Sequence, residues 1–140
     1  MNAIAARPAE ANDLDAVAAI GARRFAAGWS LDALGAELGR LDSIFLVIPD
    51  QGYALARVIE RDCRLLDIAA ASDGCGRGRA LLAALTRAAI ARGCVKVSFE
   101  VSAANERALA FYAKAGAKVV GRRPKFYYDG SDAVLMDMDL

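Results

Sequence analysis

Apolar residues recur along this chain with two periods, and the switches between them mark out its elements. Ala3 to Arg7 reads as a short strand closed by Pro8, after which Asn12 or Asp13 can cap a helix to about Phe25, with Leu14, Val17 and Ile20 inward. Gly28 breaks it, Trp29 follows in a loop, and Ser30 caps a second helix whose Leu31, Leu34 and Leu38 recur until Gly39. Ser43 to Ile48 and Tyr53 to Ile59 read as strands joined in a tight hairpin by Pro49-Asp50-Gln51-Gly52. Glu60-Arg61-Asp62 turns into the apolar strand Arg64 to Ala71. Then come a glycine-rich turn, Ser72-Asp73-Gly74-Cys75-Gly76-Arg77-Gly78, and an Ala- and Leu-rich helix from Arg79 to Arg92 with Gly93 just past its end. Val95 to Val101 alternates as a strand that should lie parallel beside Arg64 to Ala71. Asn105 can cap a helix from Glu106 to Ala115, ended by Gly116, and two strands, Lys118 to Arg123 and Asp132 to Asp139, close the chain. The order βαα, then βββαβαββ, predicts an α/β fold, a mixed sheet of about seven strands with four helices on its two faces.

Composition narrows what such a fold does. With 140 residues, 56% of them hydrophobic, and no linker or repeat, the chain reads as one domain over residues 1–140. Its 18 basic and 17 acidic residues are dispersed, which argues against nucleic acid or an anionic membrane as partner and for a smaller ligand. Three cysteines without metal-ligand spacing, and no histidine, predict free thiols and no metal, and exclude imidazole-based mechanisms. The first residues lack the segments of a signal peptide, and no apolar run approaches the ~20 residues of a membrane span. The expectation is a soluble cytoplasmic protein; its oligomeric state is not legible.

The candidate chemistry gathers around the glycine turn. A glycine-rich joint feeding a helix offers backbone N–H groups to an anion, here a phosphate, although it can equally be a tight connection. Right-handed βαβ connection would put a ligand at the C-terminal ends of the two parallel strands. Glu100, near the end of its strand with Lys96 and Ser98 on the same face, can take a proton from an attacking amine or be an ion-paired surface carboxylate. Tyr112, about two turns into its helix, can protonate a thiolate leaving group or be a satisfied core tyrosine. Asp67 interrupts an apolar strand, so it either meets a substrate amine or pairs with a base such as Arg64 or Lys96. Trp29, Tyr127 and Tyr128 are aromatics that can line an acceptor groove, the last two at a strand end before Asp129-Gly130. Cys75 lies in the glycine turn but is not read as a nucleophile.

Taken together, these residues resemble the GNAT N-acetyltransferase superfamily, and more narrowly the bacterial ribosomal-protein-alanine N-acetyltransferases. The similarity spans most of the chain. It rests on Trp29-Ser30, Gly52 through Arg57, the Gly74-x-Gly76-x-Gly78 loop with Ala80-Leu81-Leu82, Glu100-Val101, Asn105 through Tyr112 to Gly116, and Gly121-Arg122-Arg123 through Tyr127-Tyr128 to Met136. The resemblance implies the acyl-CoA N-acyltransferase fold, whose two central parallel strands splay to admit acetyl-CoA. It makes Gly74, Cys75, Gly76, Arg77, Gly78 and Arg79 the pyrophosphate-binding turn, with Ile68, Ala69, Ala70, Asn105 and Tyr112 also at the cofactor. Glu100 would be general base and Tyr112 general acid in a direct acetyl transfer, with strand N–H groups polarising the thioester carbonyl and no metal needed. By resemblance the acceptor is a protein N-terminal α-amine such as that of a ribosomal protein of the S18 type. On the residues themselves Trp29, Asp67, Tyr127 and Tyr128 are the substrate-side candidates, an open groove lined by Trp29, Tyr127 and Tyr128 suiting a peptide and a closed acidic pocket around Asp67 and Glu100 suiting a small amine. The alternatives are a small-molecule amine acetyltransferase and a non-catalytic acyl-CoA-binding sensory module. Three departures from the family pattern stand out: Asp73 where Gln or Arg is usual, which sets a carboxylate beside a pyrophosphate; Ala117 where Phe usually follows the glycine; and a shorter hairpin at Pro49 to Gly52.

Overall fold

A computed structural model describes residues 5–24, 28–72 and 76–140. Among these residues seven strands form one sheet in the order β1-β2-β3-β4-β5-β7-β6. They are β1 Arg7–Pro8, β2 Ser43–Ile48, β3 Gly52–Ile59, β4 Asp62–Ala70, β5 Lys96–Ser102, β6 Lys118–Arg123 and β7 Ala133–Asp139. The helices are α1 Leu14–Arg24, α2 Leu31–Leu38, α3 Arg77–Ala91 and α4 Glu106–Lys114. The expected α/β architecture is the one observed.

Burial sorts the helices onto the two faces. Phe45, Val47, Tyr53, Leu55 and Ala69 pack with Val17, Ile20 and Leu34 of α1 and α2. The alternate residues, among them Ile44, Leu46, Ala56, Leu65, Val97 and Phe99, pack with Leu82, Leu85 and Ala89 of α3 and with Tyr112 of α4. Alternation along each strand makes this two-sided core possible. No helix among the described residues is long and apolar enough to cross a membrane.

Several local expectations are corrected. The first strand is Arg7–Pro8, paired with Val47 and Leu46, so Pro8 belongs to the strand; β1 is an edge, where proline is tolerated. Ala3 and Ile4 lie outside the described residues, as does Phe25. Neither Asn12 nor Asp13 caps α1: a 3-10 turn, Ala11–Asp13, precedes it, and the buried Asp13 carboxylate accepts from the Glu10 N–H at 2.8 Å and from Arg7. Leu31 is half exposed, and the inward place on α2 goes to Glu37, paired with Arg57 of β3. Ser30 does cap α2, accepting from the Ala33 N–H at 3.1 Å. The β2–β3 turn holds three residues between the facing pair Ile48 and Gly52, with Asp50 at a φ of 62°. Gly52 has no room for a side chain, since a Cβ would lie 2.9 Å from the Ala69 carbonyl oxygen. Tyr127 and Tyr128 end no strand; they sit in the β6–β7 loop, closed by the Gly130 N–H to the Tyr127 carbonyl at 3.0 Å.

One parallel contact organises the sheet. β4 and β5 pair only at Asp62–Lys96, Cys63–Val97 and Arg64–Ser98, and then part. On its other side β4 stays paired to β3 as far as Ala70, with a bulge where Leu55 faces Asp67 and Ala56 faces Leu65. Leu66 is the extra residue, and it resets the alternation: Asp67 lands on the α1–α2 face that Arg64 also occupies.

Candidate active site

The cleft opens where β4 and β5 diverge. Its volume is about 620 Å³, and Trp29, Asp67, Ile68, Glu100, Asn105, Tyr112 and Tyr127 are among its lining residues. Seven residues scattered over nearly a hundred positions thus meet at one gap in the sheet.

Glu100 follows from the alternation of β5: Phe99 and Val101 are buried toward α3 and α4, which turns Glu100 to the other face. Arg64 Nη2 donates to Glu100 Oε1 at 2.7 Å, and Arg123 Nη1 stands 3.7 Å from the same oxygen. Neither arginine was singled out in the sequence as its partner. The parallel register, with Arg64 beside Ser98, contained the signal, because Glu100 is two residues on and faces the same way.

Tyr112 reaches the gap from the opposite face. Asn105 fixes α4 by accepting the Ala108 N–H at 3.1 Å, and the Tyr112 ring lies tilted at 42° against Phe99, 4.2 Å between centroids, and edge-on at 5.1 Å to Phe111. Its phenol has no hydrogen-bond partner among the described residues. Burial, and secondarily the negative charge of Asp67, push its pKa well above the ordinary tyrosine value.

Among the described residues Asp67 pairs with no base. Trp29 Nε1 donates to its Oδ2 at 2.8 Å, and the hydroxyl of the fully buried Tyr53 donates to the same oxygen. Burial raises the Asp67 pKa, while the Tyr53 and Trp29 hydrogen bonds and the Ile68 N–H oppose the rise. The Arg64 and Lys96 pairings expected as alternatives go instead to Glu100 and Asp137, because the charged ends of those side chains find carboxylates nearer their own places on the sheet. Tyr53 was missed, since a tyrosine in an apolar strand shows nothing of a partner fourteen residues on.

The remaining candidates divide. Ile68 lines the cleft, while Ala69 is buried toward α1 and α2 and Ala70 faces Gly52 across β3, so these two can offer only backbone or a methyl edge. Gly74 and Cys75 lie outside the described residues, as does Asp73. Gly76 opens α3 at a φ of 76°, a left-handed conformation that glycine adopts without strain. Gly78 lies under Phe111, where a Cβ would be 3.5 Å from Cζ. Arg77 is turned to the β2–β3 hairpin, its Nε donating to Gln51 Oε1 and its Nη1 to Ser72 Oγ at 3.1 Å; Arg79 is exposed. Tyr127 lines the cleft, and burial together with Glu100 raises its pKa. Tyr128 is wholly exposed, and the structure does not bring it to the cleft. Ala117, in the place of the usual phenylalanine, is partly buried against the α3–α4 core.

The fold as a whole has counterparts among known proteins. The ribosomal-protein-S18-alanine N-acetyltransferase of Escherichia coli superposes with a TM-score of 0.82 at 27% identity, covering 96% of this chain and 92% of that one. The ribosomal-protein-alanine N-acetyltransferase of Brucella melitensis gives 0.82 at 25% identity over 96% and 99% of the two chains. The PaiA N-acetyltransferase of Thermoplasma acidophilum, solved with coenzyme A, gives 0.80 at 22% identity over 99% and 100%, a likeness of fold. A sequence search of curated proteins gave no match. The profile of the acetyltransferase (GNAT) family matches residues 19–117, so this chain belongs to that family and is an acetyltransferase.

Proposed function

We propose that the protein transfers the acetyl group of acetyl-CoA to the N-terminal α-amine of a protein, with a ribosomal protein as the leading acceptor class. The observation that carries the reading is the parting of β4 and β5 after Arg64 and Ser98, with Glu100 on one face of the gap and Tyr112 on the other. The similarity to the two ribosomal-protein-alanine acetyltransferases supports the acceptor class.

The residues present fit acetyl-CoA. The edge of β4 beyond Arg64 faces a cleft instead of a strand, and α3, a fifteen-residue helix, begins at the left-handed Gly76 with its N-terminal N–H groups available to a pyrophosphate. Bound there, acetyl-CoA supplies an activated thioester, and this chain supplies the proton traffic. An α-amine with a pKa of about 8 is mostly protonated at neutral pH and must lose a proton before it attacks. Glu100 receives it directly or through a water. Both arginines meet Oε1, so Oε2 keeps its lone pairs for that task. The neutral amine forms the N–C bond and the C–S bond breaks; Tyr112, kept protonated by burial, donates to the departing sulfur from the opposite side, and the second proton that the nitrogen gives up on becoming an amide restores the phenol.

The test is thiol release from acetyl-CoA against peptides beginning with Ala and against small amines, using wild type, Glu100→Gln and Tyr112→Phe. Peptide-dependent release that falls about hundredfold in each variant is expected. Release with small amines alone would remove the peptide acceptor, and binding of acetyl-CoA with no release to any amine would make the protein a sensory module.

A further inference from the structure

Asp67 is held by neutral groups where a cation would be expected. Its side-chain donors among the described residues are the Trp29 indole and the Tyr53 phenol, whereas Glu100, in the same cleft, already has two guanidinium groups. A largely desolvated carboxylate without a counter-charge is costly unless something else compensates it.

The surroundings are built to keep it there. The bulge at Leu66 puts Asp67 on the face it occupies, at the expense of one regular step of the ladder. Gly21 of α1 gives the space, since a Cβ at that position would lie 2.9 Å from the Tyr53 hydroxyl and 3.9 Å from Trp29 Cδ1. Trp29 and Tyr53 both use Oδ2. A carboxylate has about four lone-pair sites, so Oδ1 retains capacity even with the Ile68 N–H nearby.

We infer that Asp67 is the docking carboxylate for the acceptor's protonated amine, with Trp29 and Tyr53 as positioning residues that fix its Oδ2 and present Oδ1 to the cleft. This rests on the reading of the cleft as an amine acetyltransferase site and adds to it a residue for ground-state binding. An ammonium N–H donates to Oδ1, the two charges compensate each other, and the proton to be lost is then delivered to Glu100. Asp67 thereby acts on amine affinity and Glu100 on turnover.

Trp29 is the only tryptophan, so its emission reports directly on this site. Emission is titrated with a peptide beginning with Ala, with the same peptide N-acetylated, and with spermidine, in wild type and Asp67→Asn. Asparagine still accepts from Trp29 and Tyr53 but removes the charge. The expected result is a saturable change with the free-amine peptide, binding about tenfold weaker or more for the blocked peptide in wild type, and a similar loss for the free peptide in Asp67→Asn. In steady state, Asp67→Asn raises the amine KM and leaves that for acetyl-CoA unchanged, while Glu100→Gln lowers kcat. Equal binding of free and blocked peptides overturns the inference, and that comparison needs no variant. So does undiminished affinity in Asp67→Asn, or no response to any amine. An Asp67-dependent response to spermidine alone keeps the inference and removes the peptide acceptor.

Discussion

Arg64 and Glu100 stand on neighbouring strands at the point where those strands part, and their side chains meet at 2.7 Å across the opening. The pair joins the last residue of the parallel ladder to the proposed base. Its energetic value is small, because Arg64 is about a third exposed and such pairs contribute roughly 0–1 kcal/mol. Its value is therefore in orientation. Arg64→Gln is expected to change the urea midpoint little and to lower kcat about tenfold, with the acetyl-CoA KM unchanged; an unaltered kcat would show that Glu100 keeps its place without the arginine.

Tyr112 and Tyr53 make a prediction about alkaline pH. Burial raises both pKa values above the ordinary figure of about 10, and the Asp67 charge adds to each. In the folded state these phenols hold their protons while the unfolded chain releases them. The stability they confer is full below about pH 10 and is lost as pH rises from there through the folded values. Urea unfolding from pH 8 to 11 should show this decline, with a shallower slope in Tyr112→Phe. Phenolate absorbance of the native protein should rise in part only above the ordinary range.

Glu37 and Arg57 make the opposite prediction in acid. Glu37 is 4% exposed, and Arg57, with Ser43 assisting, holds its pKa below the ordinary carboxylate value. A lowered pKa confers stability that is present above the unfolded value of about 4.3 and lost as pH falls through the folded one. Glu37→Gln leaves a guanidinium facing a neutral amide and should cost about 2 kcal/mol. That is less than the 3–5 kcal/mol of a fully buried pair, since a third of Arg57 meets water. Urea unfolding at pH 7 and pH 3.5 checks both figures, and the variant should lose less than wild type on acidification.

The sequence carried what is local and periodic. The α2 and α4 caps at Ser30 and Asn105, the start of α3 at Gly76 and the outward turn of Glu100 each depend on a few adjacent residues, and each is present in the fold. What it concealed is pairwise and distant. Asp67 finds Trp29 thirty-eight residues before it and Tyr53 fourteen before it, and Glu37 finds Arg57 across the α2–β3 packing. The bulge at Leu66 is the clearest case. An apolar run such as Leu65-Leu66-Asp67-Ile68 gives no sign of where alternation slips, and a slip of one residue decides which face Asp67 occupies. Tyr128 failed for the converse reason: an aromatic beside a glycine turn looks like a lining residue, but the loop leaves it in water.

Gly21 gives the last prediction because its effects on stability and on function separate. It lies inside α1, where alanine is favoured over glycine by about 1 kcal/mol. Its added Cβ, however, would lie 2.9 Å from the Tyr53 hydroxyl, and Tyr53 is fully buried with little room to yield. Such overpacking costs about 1–3 kcal/mol, so the net change in Gly21→Ala should be a destabilisation of about 0–2 kcal/mol. The strain falls on the hydrogen bond from Tyr53 to Asp67 and, through the shared Oδ2, on the bond from Trp29. Gly21→Ala should therefore shift the resting Trp29 emission and raise the amine KM several-fold, while the thermal midpoint moves by only a few degrees. A variant with a normal amine KM and a displaced Trp29 spectrum would show that Asp67 holds its position without Tyr53. A normal spectrum together with a normal KM would mean that the helix backs away and leaves the Tyr53–Asp67–Trp29 unit intact.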